Sequence, residues 1–126
     1  MEDRFLMGSP DTMPPALDRA VLEALFAMGD ETLRAALGAQ LEADFARLRA
    51  VFDHGTPYEI GRAAHELKGL AATVGAARLA DMARSVDAVA QGLSAVALAA
   101  VTAPLKAEIS AVLVSLAEVV ADTPRP

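Results

Sequence analysis

Apolar residues recur every three or four positions along most of this chain, and that interval constrains the fold more than any other feature. It gathers side chains on one face of an α-helix, whereas a half-buried strand alternates apolar and polar residues with a period of two. Alternating β-branched or aromatic runs are missing, and aromatic residues make up only 4% of the chain. The spacing therefore predicts an all-α fold. The longest example is formed by Leu33, Leu37, Leu41, Phe45, Leu48 and Phe52.

Helix start and stop signals divide this pattern into five segments. Asp30 and Thr56 are predicted N-caps, and Pro57 suits the first turn of the helix that follows. Gly55 is expected to end the second helix in the left-handed conformation, and Gly75 is expected to end the third. The predicted helices are residues 15–28, 31–53, 57–74, 76–91 and 95–121.

The helices are expected to form an antiparallel up-down four-helix bundle, with the shorter first helix as a cap across one end. Ser94 should cap the last helix, in which Pro104 either produces a kink or splits the helix with Thr102 as a second cap. Residues 1–14 combine glycine and proline without helical periodicity, which predicts a flexible N-terminal arm. Residues 15–122 would then be a single bundle domain.

The composition excludes several classes of protein. The 126 residues contain no cysteine, which excludes disulfides, thiol nucleophiles and zinc–thiolate sites and fits a cytoplasmic location. A net charge of −6 argues against nucleic acid as a partner. No signal peptide is evident, and no run reaches the roughly 18–20 apolar residues of a membrane span. We therefore expect no membrane partner, and a single site on a bundle with short loops predicts a monomer.

The segment AHELKG, from Ala64 to Gly69, contains the candidate site. On a helix, His65 is turned about 100° from Ala64 and about 200° from Leu67. Both of those neighbours belong to the predicted buried stripe, so the imidazole is expected to face solvent. The stripe consists of Ile60, Ala64, Leu67, Ala71 and Val74.

Residues three and four positions away share the face of His65. Two of them are Gly61 and Gly69, each of which costs roughly 1 kcal/mol relative to alanine inside a helix. Their missing side chains are predicted to clear space for a bulky partner beside the imidazole. Lys68 is predicted to stabilise a bound phosphoryl group, and Arg62 to have a charge or docking role. The arrangement suits a neutral imidazole that attacks an activated phosphoryl group.

The sequence carries no Gly-rich phosphate loop and no kinase signature, so no cofactor and no ATP site are expected and the phosphoryl donor must be another protein. The segment from Ala64 to Asp87 resembles the histidine-containing phosphotransfer (HPt) domains of bacterial and eukaryotic phosphorelays. That family has a histidine, a lysine three residues on, a glycine four residues on and a second glycine about ten residues on. The order of the predicted helices fits the family layout as well. The matching residues are His65, Lys68, Gly69 and Gly75.

The resemblance implies that His65 receives a phosphoryl group from a receiver domain or a histidine kinase and passes it to a receiver domain. The chain would be a phosphocarrier rather than a turnover enzyme. Lys68 would steady the phosphate and Gly69 would leave room for the loops of the receiver. An apolar patch beside the histidine would dock the partner. The predicted docking residues are Val21, Leu25, Met28, Leu33, Leu37 and Ala72.

Two positions depart from the family pattern, and two other hypotheses stay open. Leu70 stands where a small polar residue is common, and Asp87 stands where glutamate is common. A bundle that docks a signalling regulator without chemistry would be favoured if His65 were buried. A metal-binding bundle is a weaker hypothesis, because His65 and Glu66 begin an HExxH motif whose second histidine is replaced by Gly69. No metal site is therefore expected.

Overall fold

The computed structural model describes residues 15–122 of the chain. No strand occurs within these residues, and the all-α prediction is confirmed. The predicted flexible arm of residues 1–14 lies outside the described residues. The elements are α1 (Arg19–Phe26), α2 (Glu31–His54), α3 (Pro57–Thr73), α4 (Ala77–Val89), a 3-10 turn (Ala90–Gly92) and α5 (Ala95–Asp122).

Three of the predicted caps, Asp30, Thr56 and Ser94, form the expected hydrogen bonds. Asp30 Oδ1 accepts from the backbone N–H of Leu33 at 2.9 Å at the start of α2. Thr56 and Glu59 form a reciprocal capping box at the start of α3, with Pro57 in the first turn. Because these groups satisfy N–H donors that a helix start leaves free, they fix where α3 begins and therefore the rotation of its faces.

Several boundary predictions need correction. The first helix begins at Arg19 rather than residue 15, because the Asp18 side chain accepts from the N–H of Ala20 and acts as the cap. Gly55 is extended, with φ −76° and ψ 158°, and not left-handed. A Cβ at Gly55 would lie 2.7 Å from the carbonyl oxygen of Val51, so lack of space is the reason for glycine there.

The C-terminal part of the chain resolves the question left by Pro104. The helix α5 runs through this proline without a break, so Thr102 does not start a second helix. Pro104 is exposed, where solvent can satisfy the carbonyl that loses its donor. Ser94 Oγ accepts from the N–H of Ala97 at 3.2 Å, as the predicted cap. The fourth helix ends at Val89, two residues early, and continues as the 3-10 turn.

The helices α2 to α5 pack as a closed ring in which each contacts the next and α5 contacts α2. Ion pairs across the ring join the antiparallel neighbours: Arg47 on α2 pairs with Glu66 on α3, and Arg78 on α4 with Glu108 on α5. The helices α3 and α5 therefore occupy opposite corners of the bundle. The short α1 packs against α5 at the end of the bundle where α3 terminates.

One buried core fills the centre of this ring. All five residues of the stripe predicted for α3 are buried, and Ala64 and Leu67 are fully so. This fixes the opposite side of α3 as the surface that carries His65. The largest fully buried side chains are Phe45, Leu22, Leu48, Leu67, Leu79, Leu105, Ile109 and Leu116.

The length of α5 corrects one sequence-based prediction. This helix is long and apolar enough to cross a membrane by length and composition, whereas no such segment was expected. It nevertheless forms part of the bundle: Leu105, Ile109, Val112 and Leu116 are fully buried in the core. Lys106 also pairs with Asp53 of α2 at 2.7 Å, and this ammonium lowers the pKa of the Asp53 carboxyl.

Replacement of Gly75 by alanine is expected to destabilise the fold. Gly75 has φ +77°, and an added Cβ would lie 2.9 Å from Cβ of Asp18 and 3.0 Å from Cβ of Val21. Its carbonyl also accepts from the N–H of Asp18 at 2.8 Å, which ties α1 to the α3–α4 turn. We expect Gly75→Ala to lower the free energy of unfolding by roughly 1–3 kcal/mol in urea titrations. Gly92→Ala is the control, because a Cβ there meets nothing within 4 Å; equal losses in both variants would contradict this account.

Candidate functional site

The side chain of His65 projects from the middle of α3 into solvent. It is 71% exposed, while Ala64 and Leu67 beside it in sequence are fully buried. The exposure predicted from the helical spacing is therefore confirmed. A buried His65 would have favoured a bundle that docks a regulator without chemistry, and His65 is not buried. The helix α3 thus presents this imidazole to solvent.

A carboxylate from the neighbouring helix holds one nitrogen of this ring. Asp87 Oδ2 on α4 lies 3.1 Å from Nδ1 of His65. A carboxylate accepts hydrogen bonds, so this contact places the ring proton on Nδ1 and leaves the lone pair of Nε2 for chemistry. Asp87 is absent from the predicted site residues. The signal that could have identified it is the antiparallel α3–α4 turn near Gly75, which brings positions 22 residues apart to the same level.

Lys68 lies beside the same carboxylate. Its Nζ is 3.9 Å from Oδ2 of Asp87, and its side chain is 34% exposed. Asp87 therefore faces both the imidazole and the ammonium, and the Lys68 ammonium lies one helical turn from His65. A group bound at Nε2 with negative oxygens would lie near a cation that has only a distant partner.

The two glycines near His65 have different surroundings. A Cβ at Gly69 would meet nothing within 4 Å, so the surface beyond His65 is open at this position. Gly61 is buried instead, and a Cβ there would lie 3.7 Å from Cβ of Ala90 and 3.8 Å from Nε2 of Gln91. Gly61 is therefore not an open surface position like Gly69, and its predicted role in clearing space for a partner stays a prediction. Gly61 packs α3 against the 3-10 turn.

Arg62 lies one turn before His65. Its Nη1 donates to the Tyr58 hydroxyl at 3.4 Å, which raises the pKa of the guanidinium, and its Cζ lies 5.9 Å from the centre of the Tyr58 ring. Among the described residues, Arg62 forms no ion pair. The neighbouring Arg47 is neutralised by Glu66 across the α2–α3 junction. Glu66 acts on Arg62 through its charge without a contact at ion-pair distance, so Arg62 supplies a positive charge next to the histidine.

Comparison with known families identifies the family to which this chain belongs. A family model, the Hpt domain, matches residues 21–115. This chain belongs to the Hpt domain family. Membership makes it a phosphotransfer module of two-component signalling, in a family whose domains interact with receiver domains and kinases. No curated protein and no solved structure gives a significant match.

The Hpt domain exposes apolar side chains where α1 meets α2. Met28 is 80% exposed, Leu33 55% and Val21 39%, whereas Leu25 and Leu37 are partly buried against the core. Leu33 and Leu37 lie in the first two turns of α2, and the polar side chains of Gln40 and Asp44 come between them and Arg47 along the helix. The exposed apolar side chains are therefore concentrated at the α1–α2 end of the bundle. Ala72, also predicted for this surface, is exposed on α3.

A groove follows the other side of the histidine in this Hpt domain. It lies between α2 and the first half of α3, and the residues lining it include Arg47, Val51, His54, Tyr58, Arg62 and His65.

Leu70, the residue that departs from the family pattern, is partly buried against the core and offers no hydroxyl near His65. Within residues 15–122, no three histidine, aspartate or glutamate side chains are grouped to hold a metal ion.

Proposed function

We propose that this Hpt domain carries a phosphoryl group on Nε2 of His65 between receiver domains, or from a histidine kinase to a receiver domain. One observation carries the proposal: the exposed imidazole has Nδ1 held by Asp87, which leaves Nε2 as the free nucleophile. A fixed tautomer removes the need to reorganise the ring before attack.

The transfer step follows from this geometry. The Nε2 lone pair attacks the phosphorus of an aspartyl phosphate on the partner and forms a P–N bond. The P–O bond to the aspartate breaks, and the carboxylate leaves with its electron pair. The imidazole ring then carries extra positive charge, which the Asp87 carboxylate offsets while it accepts the hydrogen bond from Nδ1–H. Transfer to a second receiver domain is the same displacement in reverse.

Lys68 acts on the phosphoryl oxygens in this proposal. During transfer the negative charge is spread over three equatorial oxygens, and a nearby ammonium stabilises it. The 3.9 Å separation from Asp87 supports this role, because the head is close to the site without a tight partner. Arg62, which has no ion-pair partner among the described residues, would attract negatively charged side chains on a docked receiver domain.

The exposed apolar patch of α1 and α2 is proposed as the docking surface for that receiver domain. Met28 and Leu33 are the members with the most surface to bury on binding. Gly69 would lie under the closest approach of the partner, since nothing within the described chain occupies the space beyond its Cα. Docking there brings the donor phosphorus to His65 without moving the bundle.

The test is label transfer from a phosphorylated receiver domain or an autophosphorylated kinase to the purified chain. We expect label on this protein that is lost in acid and kept in base, as a phosphoramidate requires, and that maps to the peptide containing His65. A stable complex without label would instead support a docking module. Base-labile label would place the group on a carboxylate and refute the proposal.

Asp87 is expected to affect transfer by positioning the ring rather than by touching the phosphoryl group. Asp87→Ala removes a charge-assisted hydrogen bond, so we expect transfer to slow by about tenfold or more. Asp87→Asn should retain part of the rate, because an amide oxygen can still accept from Nδ1. Nitrogen chemical shifts of the imidazole should show that the tautomer is no longer fixed in Asp87→Ala. Unchanged shifts together with an unchanged rate would remove Asp87 from the mechanism.

A further inference from the structure

The outer face of α5 carries no charge over about six helical turns. Between residues 95 and 117 the only charged residues are Lys106 and Glu108. Both are turned sideways into ion pairs, with Asp53 at 2.7 Å and with Arg78 at 3.0 Å. Val96 is 82% exposed and Val114 60%. The other outward residues, also exposed, are Ala100, Ala103, Ala107 and Ala111.

We infer that this face binds a second copy of the chain, with the two α5 helices antiparallel about a two-fold axis near Ala107. In that register Ala107 meets its own copy, and Ala103 lies opposite Ala111. Val114 of each copy lies opposite Ala100 of the other. A large side chain thus faces a small one on both sides of the axis, which allows close approach of the two helices.

Charge at the ends of the face also favours the antiparallel arrangement. Glu118 is the first outward charged residue of the stripe and is exposed. The proposed register places it beside Val96 of the second copy, at the first turn of α5. Free N–H groups give a helix start a partial positive charge, so a carboxylate there is stabilised. A parallel pair would instead place the two Glu118 side chains together.

Charge and packing favour a second copy over a lipid surface. The stripe contains no lysine or arginine, and the chain has a net charge of −6, so an anionic membrane would repel it. The ion pairs of Lys106 and Glu108 hold α5 to α2 and α4 and oppose its extraction into a bilayer.

The size of the face sets the expected strength of the dimer. The stripe from Val96 to Glu118 is about 33 Å long, and a strip one helix wide buries about 400 Å² per copy, against about 800 Å² in a standard interface. We therefore expect a reversible dimer with a Kd on the order of tens of micromolar. The monomer predicted from the sequence rests on the short loops and the single site. Neither of these features depends on the outer surface of α5.

The dimer would leave phosphotransfer accessible. The helix α3, which carries His65, occupies the corner of the bundle opposite α5. A second copy on α5 therefore does not cover His65, and the two histidine sites of the dimer would face outwards. The inference does not depend on the proposed function.

Sedimentation velocity over a range of concentrations tests this inference. We expect the wild-type chain to shift from monomer to dimer with increasing concentration. Ala107→Glu places two like charges at the axis and should raise the Kd at least about tenfold. Ala46→Glu, at an exposed position on α2, is the matched control and should leave the Kd unchanged. Circular dichroism checks that both variants are folded.

The absence of cysteine from the chain allows a direct test of the register. Ala107→Cys should form an intermolecular disulfide under mild oxidation, because its Cβ faces its own copy within the reach of about 3.5–4.5 Å that a disulfide needs. Ala46→Cys should not. Retained dimer in Ala107→Glu, or no cross-link at residue 107, would overturn the register.

Other outcomes overturn the inference altogether. These are a wild-type monomer at several hundred micromolar, roughly ten times the expected Kd, or flotation with phosphatidylcholine vesicles in place of self-association. Label transfer to His65 in the Ala107→Glu variant provides an independent readout and is expected to be unchanged. A dimer that accepts no label would refute the proposed function and leave this inference standing.

Discussion

His65→Gln is expected to take up no phosphoryl label from a phosphorylated receiver domain or kinase. Glutamine keeps a polar side chain of similar length at an exposed helical position, so the fold should be unchanged. It has no lone-pair nitrogen of imidazole type, and no P–N bond can form. The loss of label should therefore be complete, whatever the concentration of the partner.

His54→Gln is the matched control for this variant. The chain has two histidines, and His54 lies at the end of α2 in the same groove as His65. We expect the His54→Gln variant to accept label at the wild-type rate. Within the described residues no carboxylate is hydrogen-bonded to the His54 ring, which lies two helical turns from His65 along the groove. Label retained in His65→Gln would refute the assignment, and label lost only in His54→Gln would move the site to α2.

Gly69→Gln is expected to make the protein more stable and a poorer phosphotransfer partner. A glycine inside a helix costs roughly 1 kcal/mol relative to a good helix former, and a side chain at residue 69 meets nothing within the described chain. The free energy of unfolding should rise by roughly 0.5–1 kcal/mol. The same side chain would occupy the space that a docked receiver domain needs, so KM should rise by about tenfold or more, equivalent to 1.4 kcal/mol.

The opposite signs of these two effects make the test sharp. Urea titration gives the stability, and the dependence of transfer rate on receiver concentration separates KM from the rate at saturation. Ala99→Gln, on α5 at the far corner, is the control for a longer exposed side chain and should alter neither quantity. Gly69→Gln with a wild-type KM would show that this glycine does not lie in the docking surface.

Local patterns in the sequence were sufficient for the helices and for the orientation of His65. Helical spacing predicts the buried stripe of α3, and Asp30, Thr56 and Ser94 predict caps that form as expected, because capping depends on residues three positions apart. The predicted start of α1 was wrong because Asp18 caps the helix. The backbone N–H of Asp18 is in turn held by the carbonyl of Gly75, a contact across more than fifty residues. The left-handed conformation predicted for Gly55 was wrong because glycine is needed there for space: an added Cβ would lie 2.7 Å from the carbonyl oxygen of Val51, while the extended backbone itself is open to any residue.

The site itself divides along the same line. The sequence by itself determined that His65, with Lys68 and Gly69 one turn further along, lies on the exposed face of an amphipathic helix. These relations follow from 3.6 residues per turn. Only the tertiary structure decided that Asp87 holds Nδ1, that Gly61 packs against Ala90 and that the outer face of α5 has no partner within the bundle. Each of these depends on how neighbouring helices are rotated and aligned, which is set by packing across the whole core.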